Sequence, residues 1–559
     1  MQFIVFAAFA IVLSVPPGGP PWSRMTSPAA TWLVVIGQVL VTAIMAAVYA
    51  RLVRVKLERE AVWLPSAQKR LAQGNTAVRG LVLSGTCVSV YLTDWSVIVR
   101  SWPVVNSVWG LDELAMLIPF FLAIVVAWTI LYPADRAVRQ VALELRLWAS
   151  VPARPVWRLA SYLGFMLRHH VLIIAVPMAF IVAANDFVNV YARQIRMATG
   201  LAWADQVLLV ATAGLVFLIA PVMLRYIWHT RPLPPGDLRS RLEELCARVG
   251  LTYRRILIWE SDGMVVNAAV MGIIRPVRYI LLSDGLLEMM DDRKIEAVFG
   301  HEAGHIKCRH IHFFLLFAVL SMLLVGGVIE LVYRLWPEAF GTREAMQDYA
   351  QVGAMVLIVL VWIFGFGAIS RRFEWQADLF GTRCVTTSAE ECQLPCFHHG
   401  TAEVAGPDAE TTPPQQAVCV TAANVFAEGL HRIAVLNGIP PEARSWRHSS
   451  IANRIRRLKS YALNPLQSRR LEREVLAIKA LLLVGTLVGL GIALWLYWPQ
   501  QRRTVIRRAP QPEAVVAPPA SQRAPSASVI TERQTRTSPK RQRGDVERQR
   551  RTQNPHLPS

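Results

Sequence analysis

Six stretches of the chain lack any charged side chain: 31–50, 114–132, 206–224, 313–329, 352–369 and 480–498. Each approaches the roughly 20 residues of helix that cross a hydrocarbon layer. Three weaker runs accompany them. Residues 1–15 are apolar but short, without a basic start or a small-residue cleavage pattern, and read as an anchor rather than a cleaved signal. Residues 171–184 follow Arg168, whose side chain can reach the interface. Residues 81–99 are interrupted by Asp94, but parity favours a crossing. The flanking stretches 51–79 and 136–158 carry seven and five Lys/Arg, both read as cytoplasmic, and otherwise only 114–132 separates them.

Between 224 and 313 the pattern changes. The prolines of Arg231-Pro-Leu-Pro-Pro-Gly-Asp237 end a helix, and Asp237 is placed as the N-cap of a helix running to about Val249, with Gly250 as its stop. Three short β-like runs follow (253–260, 264–271 and 277–283), and a new helix begins near Asp291. The chain then leaves and returns through 313–333 and 352–370, so residue 371 lies on the side that residue 312 left. Arg371 and Arg372 suit a cytoplasmic exit. The expected organisation is a multi-span membrane region (1–230) and a mixed α/β domain (231–475). A hairpin at 313–370 and an irregular Cys-containing insertion at 385–423 interrupt that domain. A last membrane helix (476–498) and a disordered basic tail (499–559) complete the chain.

Composition agrees with a membrane protein. Of 559 residues 53% are hydrophobic, and mean hydropathy is +0.35, too apolar for a soluble chain of this length. The formal charge of +20 suggests nucleic acid until its placement is considered. Residues 502–551 hold thirteen Lys/Arg against four Asp/Glu in a Pro-, Gln- and Ser-rich tail, and most other basic residues flank the apolar runs. No folded basic face interleaved with aromatics emerges, so nucleic acid is not an expected partner; the lipid bilayer is. Seven cysteines are an odd number and too sparse for a disulfide scaffold.

The chemistry lies in His301-Glu302-Ala303-Gly304-His305. Imidazoles at i and i+4 share one helix face and can hold one Zn²⁺, while Glu302 can hold a water and take its proton. An exposed helix with two incidental histidines is the bland alternative. A catalytic zinc wants a third protein ligand. On a continuous helix, His312 lies on the order of 10 Å beyond His305, too far to share the ion, and His310 points away from that face. Cys308 is on the right face but would strain the site. Beyond the hairpin, Glu374 and Asp378 share a face at i, i+4. Glu374 can complete the shell, and Asp378 can accept the free N–H of a zinc histidine; a solvated acidic pair balanced by Arg371 and Arg372 is the other reading.

Five motifs in order make the chain similar to the membrane zinc proteases of metallopeptidase family 48, the HtpX-like and type 1 CAAX-prenyl-protease-like enzymes. They are Asn267-Ala-Ala-Val-Met-Gly272, Leu281-Leu-Ser-Asp-Gly-Leu-Leu287, the His301–His305 helix, Ser370 to Asp378, and Arg447-His-Ser-Ser-Ile-Ala-Asn-Arg-Ile455. The resemblance spans about 242–458. It implies a mainly α fold: a polytopic transmembrane helix bundle with a cytoplasmic gluzincin-like α+β metalloprotease domain. The implied activity is zinc endopeptidase action on membrane-associated or misfolded proteins near the cytoplasmic face, in a multi-pass protein of the cell inner membrane. It further implies that Asn267 stands on an edge strand that pairs with extended substrate, and that His448 and Arg454 stabilise the oxyanion.

Two features depart from the resemblance. The N-terminal bundle is larger than in short bacterial members. The insertion carries Cys392, Cys396, His398, His399 and Cys419, which could bind a second metal but read first as incidental thiols in an irregular loop, leaving one zinc per chain as the expectation. Two other classes compete. A signal-transducing metalloprotease of the β-lactam sensor type calls for a folded sensor after the last span, where only about sixty low-complexity residues follow Trp498. A non-catalytic scaffold with a relict zinc site sits poorly with Glu302 beside three candidate ligands.

Overall fold

The computed structural model describes residues 2–15, 27–59, 64–105, 108–148, 156–201, 203–263, 265–335, 353–354, 356–392, 394–401, 417–443 and 447–507. The chain divides into two units, Met1–Trp495 and Leu496–Ser559. Of the second, only the end of a helix reaching Arg507 is described: residues 499–507 of the tail expected to be disordered over 499–559 are helical, and the rest of that tail lies outside the described residues.

Among the described residues, seven helices are long and apolar enough to cross a membrane: Pro28–Glu58, Leu111–Glu144, Leu159–Thr199, Ala204–Ile227, His310–Val332, Val356–Cys384 and Pro465–Trp495. Four of the six charge-free runs fall within this set, 352–369 and 480–498 overlap it, and the weak run at 171–184 belongs to the much longer third helix. The expected crossing at 81–99 is not one helix. A helix Leu64–Tyr91 stops there, and Trp95–Arg100 starts afresh after a turn in which the Thr93 hydroxyl takes the Trp95 N–H (3.3 Å). The first half of that helix carries Gln68, Lys69, Arg70 and Asn75, which removes it from the apolar set. Gln2–Leu13 is apolar but, at 12 residues, too short to span. Val5, Ala8 and Phe9 are instead buried in the core of the N-terminal bundle.

The domain that follows opens with β1 (Thr230–Pro232) and α1 (Asp237–Val249). Gly236, not Asp237, occupies the cap of α1, so Asp237 sits in its first turn, where the helix dipole still favours a carboxylate. Strands β2 (Arg255–Trp259), β3 (Ala268–Met271) and β4 (Tyr279–Ser283) complete a four-stranded sheet ordered β1-β2-β4-β3. Only β2 and β4 are parallel, and β3 lies at an edge. Alternation divides the sheet between two cores. Ile256, Ile258, Ile280 and Leu282 face the domain's helices, whereas Leu257, Trp259, Tyr279 and Leu281 pack with Trp228 and Ile173 of the membrane helices. The Trp259 indole donates to His169 Nε2 at 2.8 Å across that second face.

Helix α2 (Asp292–Lys307) is capped by Asp291, whose side chain accepts the Lys294 N–H. After Cys308 and a left-handed Arg309 (φ 57°), α3 (His310–Leu335) leaves the domain. The return helix runs through a π-turn at Trp362–Phe366 into α4 (Gly367–Cys384), so one helical rod carries both the membrane segment and Glu374. Helices α5 (Val420–Leu436), α6 (Ile451–Leu463) and α7 (Pro465–Arg507) follow.

Helices α2 and α4 cross at glycine. A Cβ on Gly381 would stand 2.6 Å from His301 N and 2.9 Å from Ala297 O, and one on Gly304 would stand 3.2 Å from Ala377 Cα. Small residues at i, i+4 on both helices let the backbones touch. Gly381→Ala is therefore expected to force the helices apart and cost about 1–3 kcal/mol of stability, read as a lowered thermal midpoint of the detergent-solubilised chain. An unchanged midpoint would contradict the close crossing.

Candidate metal centre

The α2–α4 crossing brings three side chains together. His301 Nε2 and His305 Nε2 are 3.4 Å apart, and each lies 3.6 Å from a different oxygen of the Glu374 carboxylate. Glu374 is 5% exposed and His301 7%, so neither carboxylate nor ring is solvated enough to hold these positions by hydration.

The other nitrogen of each ring is occupied. His301 Nδ1 meets Asp378 Oδ1 at 2.8 Å and must donate to it. His305 Nδ1 meets His310 Nδ1 at 2.9 Å, and His310 Nε2 meets Gln376 Oε1 at 2.9 Å. Lys479 Nζ also donates to Gln376 Oε1 (3.1 Å), which fixes that atom as an acceptor. His310 Nε2 therefore carries hydrogen, its Nδ1 is a lone pair, and His305 Nδ1–H donates to it. Both Nε2 lone pairs consequently face each other and a buried carboxylate. That arrangement is repulsive until a cation shares it. Ligands about 2.0–2.1 Å from a tetrahedral zinc stand roughly 3.3–3.4 Å from one another, so the observed separations fit the ion.

Burial drives His305 down to about 4, keeping its ring neutral at ordinary pH. Burial opposes the charged form of His301 too, but the hydrogen bond to Asp378 outweighs it and the net direction is upward. Glu302, next in the chain, is pushed upward chiefly by burial, and its carboxylate is hydrogen-bonded to the Val270 N–H.

That amide belongs to the edge strand. Asn267 O accepts from Ser283 N (3.0 Å), so by alternation Asn267, Ala269 and Met271 turn their backbone groups to β4, while Ala268 and Val270 present theirs outward. The strand is held in place by side chains. Ser283 Oγ takes the Asn267 N–H, Asp284 gathers the Ser261 and Gly263 amides, and Asn437 brackets Val266 from both sides.

Arg454 donates to both oxygens of Asp378, with Nε–Oδ2 at 2.9 Å, and its Nη2 lies 3.4 Å from His301 Nδ1. It stands behind the His301 ring, on the Nδ1 side. His448, half-exposed, reaches Glu374 Oε1 at 2.9 Å from the other direction.

Residues 232–461 match the family model of peptidase family M48. The chain carries an M48 peptidase domain. The HExxH helix, Glu374 and Asp378 all fall inside the matched segment. Relatives include a CAAX prenyl protease 1 homolog of Arabidopsis thaliana, 27% identical over 30% of this chain and 40% of that protein. A protease HtpX homolog of Pyrobaculum calidifontis is 29% identical over 33% of this chain and 52% of its own. The chain thus spans about half the length, or less, of these curated relatives. Among solved structures, S. mikatae Ste24p is similar with a TM-score of 0.41 and 15% identity, over 78% of this chain and all of that one. The protein is a multi-pass integral membrane protein with an M48 domain.

The sequence reading missed His310. It assumed a continuous helix, on which His310 points away. The left-handed Arg309 breaks that helix and folds His310 back onto His305, where it stacks on Phe373 at 4.4 Å. No helical periodicity encodes such a break, although a cluster of three histidines around Arg309 is a signal that a turn could exploit.

Asp378 and Arg454 form a buried pair, 2% and 11% exposed at the side chain. Asp378→Asn should leave the guanidinium uncompensated and cost about 3–5 kcal/mol, whereas Asp378→Leu with Arg454→Met should recover much of it. Denaturant unfolding of both variants checks this, and equal loss in the two would refute the pair as the cause.

Proposed function

We propose that the chain is a zinc-dependent membrane endopeptidase whose metal is held by His301, His305 and Glu374. The observation that carries the reading is the convergence of two imidazole lone pairs and a buried carboxylate at ligand spacing, beside Glu302 and an open strand edge.

A zinc ion held there supplies positive charge that acidifies water and polarises a carbonyl. The protein's own groups do the rest. The outward N–H and C=O of Ala268 and the C=O of Val270 offer an extended peptide a strand to pair with, independent of its side chains. Asn267 sets the register of that edge through its bonds to Ser283. Glu302, anchored by the Val270 amide, takes the proton from the attacking water and delivers it to the leaving nitrogen. His448 stands on the exposed side of Glu374, where its N–H can donate to the carbonyl oxygen as charge develops. Arg454 acts through Asp378 as a positioning residue rather than on substrate. Asp378 and His310 fix the two ligand rings.

The proposed substrates are membrane-associated or misfolded proteins. The helical rod from Val356 to Cys384 delivers the site directly from a membrane segment; Arg371 and Arg372 at that end support a cytoplasmic site, and the proposed location is the cell inner membrane.

Glu302→Gln is expected to keep its zinc and lose cleavage of an unfolded membrane-protein substrate; retained proteolysis in that purified variant, or loss of the ion, would defeat the assignment. His448→Phe should lower kcat by roughly 10²–10³ with KM and zinc content little changed. A fall in zinc content instead would make His448 a support for Glu374 only.

A further inference from the structure

The segment joining α4 to α5 holds a second convergence of ligating side chains, sharing no residue with the first centre. One ligand atom from each of Cys392, Cys396, His399 and Cys419 lies within 4.8 Å of all the others. The three cysteines are free and buried. Cys419 Sγ and Cys392 Sγ are 3.7 Å apart. A disulfide needs about 2.05 Å, but two thiolates sharing a tetrahedral zinc at about 2.3 Å stand roughly 3.8 Å apart.

Each ligand is also prepared for the role. The Thr421 hydroxyl donates to Cys392 Sγ at 3.4 Å, and the amides of Val420, His399 and His398 oppose the burial that raises the Cys396 thiol. Such donors stabilise a sulfur that bears charge. Cys419 caps α5, whose N-terminal dipole favours a thiolate. The two adjacent histidines divide. His398 Nδ1 pairs with the Ala417 carbonyl at 3.1 Å, whereas His399 Nε2 is buried with no hydrogen-bond partner among the described residues. A shielded imidazole nitrogen left unpaired is costly, and a metal ion removes that cost.

We propose that Cys392, Cys396, His399 and Cys419 bind a second zinc ion, a structural one, that clamps the insertion onto the start of α5. Four protein ligands leave no open position, as in structural rather than catalytic sites, and three thiolates favour zinc over hard cations. Binding releases up to three thiol protons to solvent and involves no redox step. The clamp belongs to the core that supports the first centre. Cys392, Cys396 and Cys419 share one hydrophobic cluster with Ala297 and Phe299 of α2 and Phe426 of α5, and the Phe426 ring lies 6.1 Å from that of His301. The chain would then carry two zinc ions instead of one.

The test uses the full chain purified in detergent under reducing conditions. Elemental analysis should give two zinc ions per chain in the wild type and one in Cys392→Ser/Cys419→Ser, with one retained in His301→Ala/His305→Ala. Because the cysteine variant can fail to fold, the wild type is also loaded with cobalt. The first centre has no sulfur ligand, so thiolate-to-cobalt charge-transfer absorption can arise only from the second. Titration with a mercurial thiol reagent should release one zinc as the thiols react. One zinc per wild-type chain with no charge-transfer band, or thiols that react without releasing metal, overturns the proposal.

Discussion

The contact on which the site depends is the crossing of α2 and α4 at Gly300, Gly304 and Gly381. Backbone-to-backbone approach there sets how far the α4 carboxylates stand from the α2 imidazoles. A methyl group between the helices would move Glu374 and Asp378 together, since both lie on the same face of one rigid helix. Loops could not hold a carboxylate oxygen 3.6 Å from each of two rings with comparable precision. Because α4 continues the membrane helix from Val356, the same crossing also ties the site to the bilayer.

Around that crossing the polar groups are ordered by proton accounting. Lys479 fixes Gln376, Gln376 fixes His310, and His310 fixes His305; Arg454 and Asp378 do the same for His301. Each step leaves one tautomer available, and both rings end with a lone pair on Nε2. Buried networks of this kind are costly when any member is missing. The pairing of Asp378 with Arg454 and of each ring's Nδ1 with a partner lets charged groups sit in the same interior as Phe373 and Phe426.

The sheet serves the site from its edge. Its two faces are buried, one against the domain helices and one against the membrane bundle through Trp228 and Trp259, so β3 is fixed although one side has no partner strand among the described residues. Side-chain bonds from Ser283, Asp284 and Asn437 take the place of that partner in holding the strand and the loop before it. The backbone groups of Ala268 and Val270 are left beside Glu302.

Much of this was legible along the chain. Charge-free runs located the membrane helices because burial in lipid tolerates no unpaired charge. Short β-like runs located three of the four strands because their faces are buried separately; the strand Thr230–Pro232 lay in the proline-rich stretch read as a linker. The spacing of His301 and His305 follows from helix geometry alone, and so does that of Glu374 and Asp378. Contacts between distant segments were decided only in three dimensions: the glycine crossing, the return of His310 after the left-handed Arg309, the placement of Arg454 behind Asp378, and the gathering of Cys392, Cys396, His399 and Cys419. Local periodicity records which face of an element a residue occupies. It carries no record of which other face will meet it, because that is set by packing summed over the whole core.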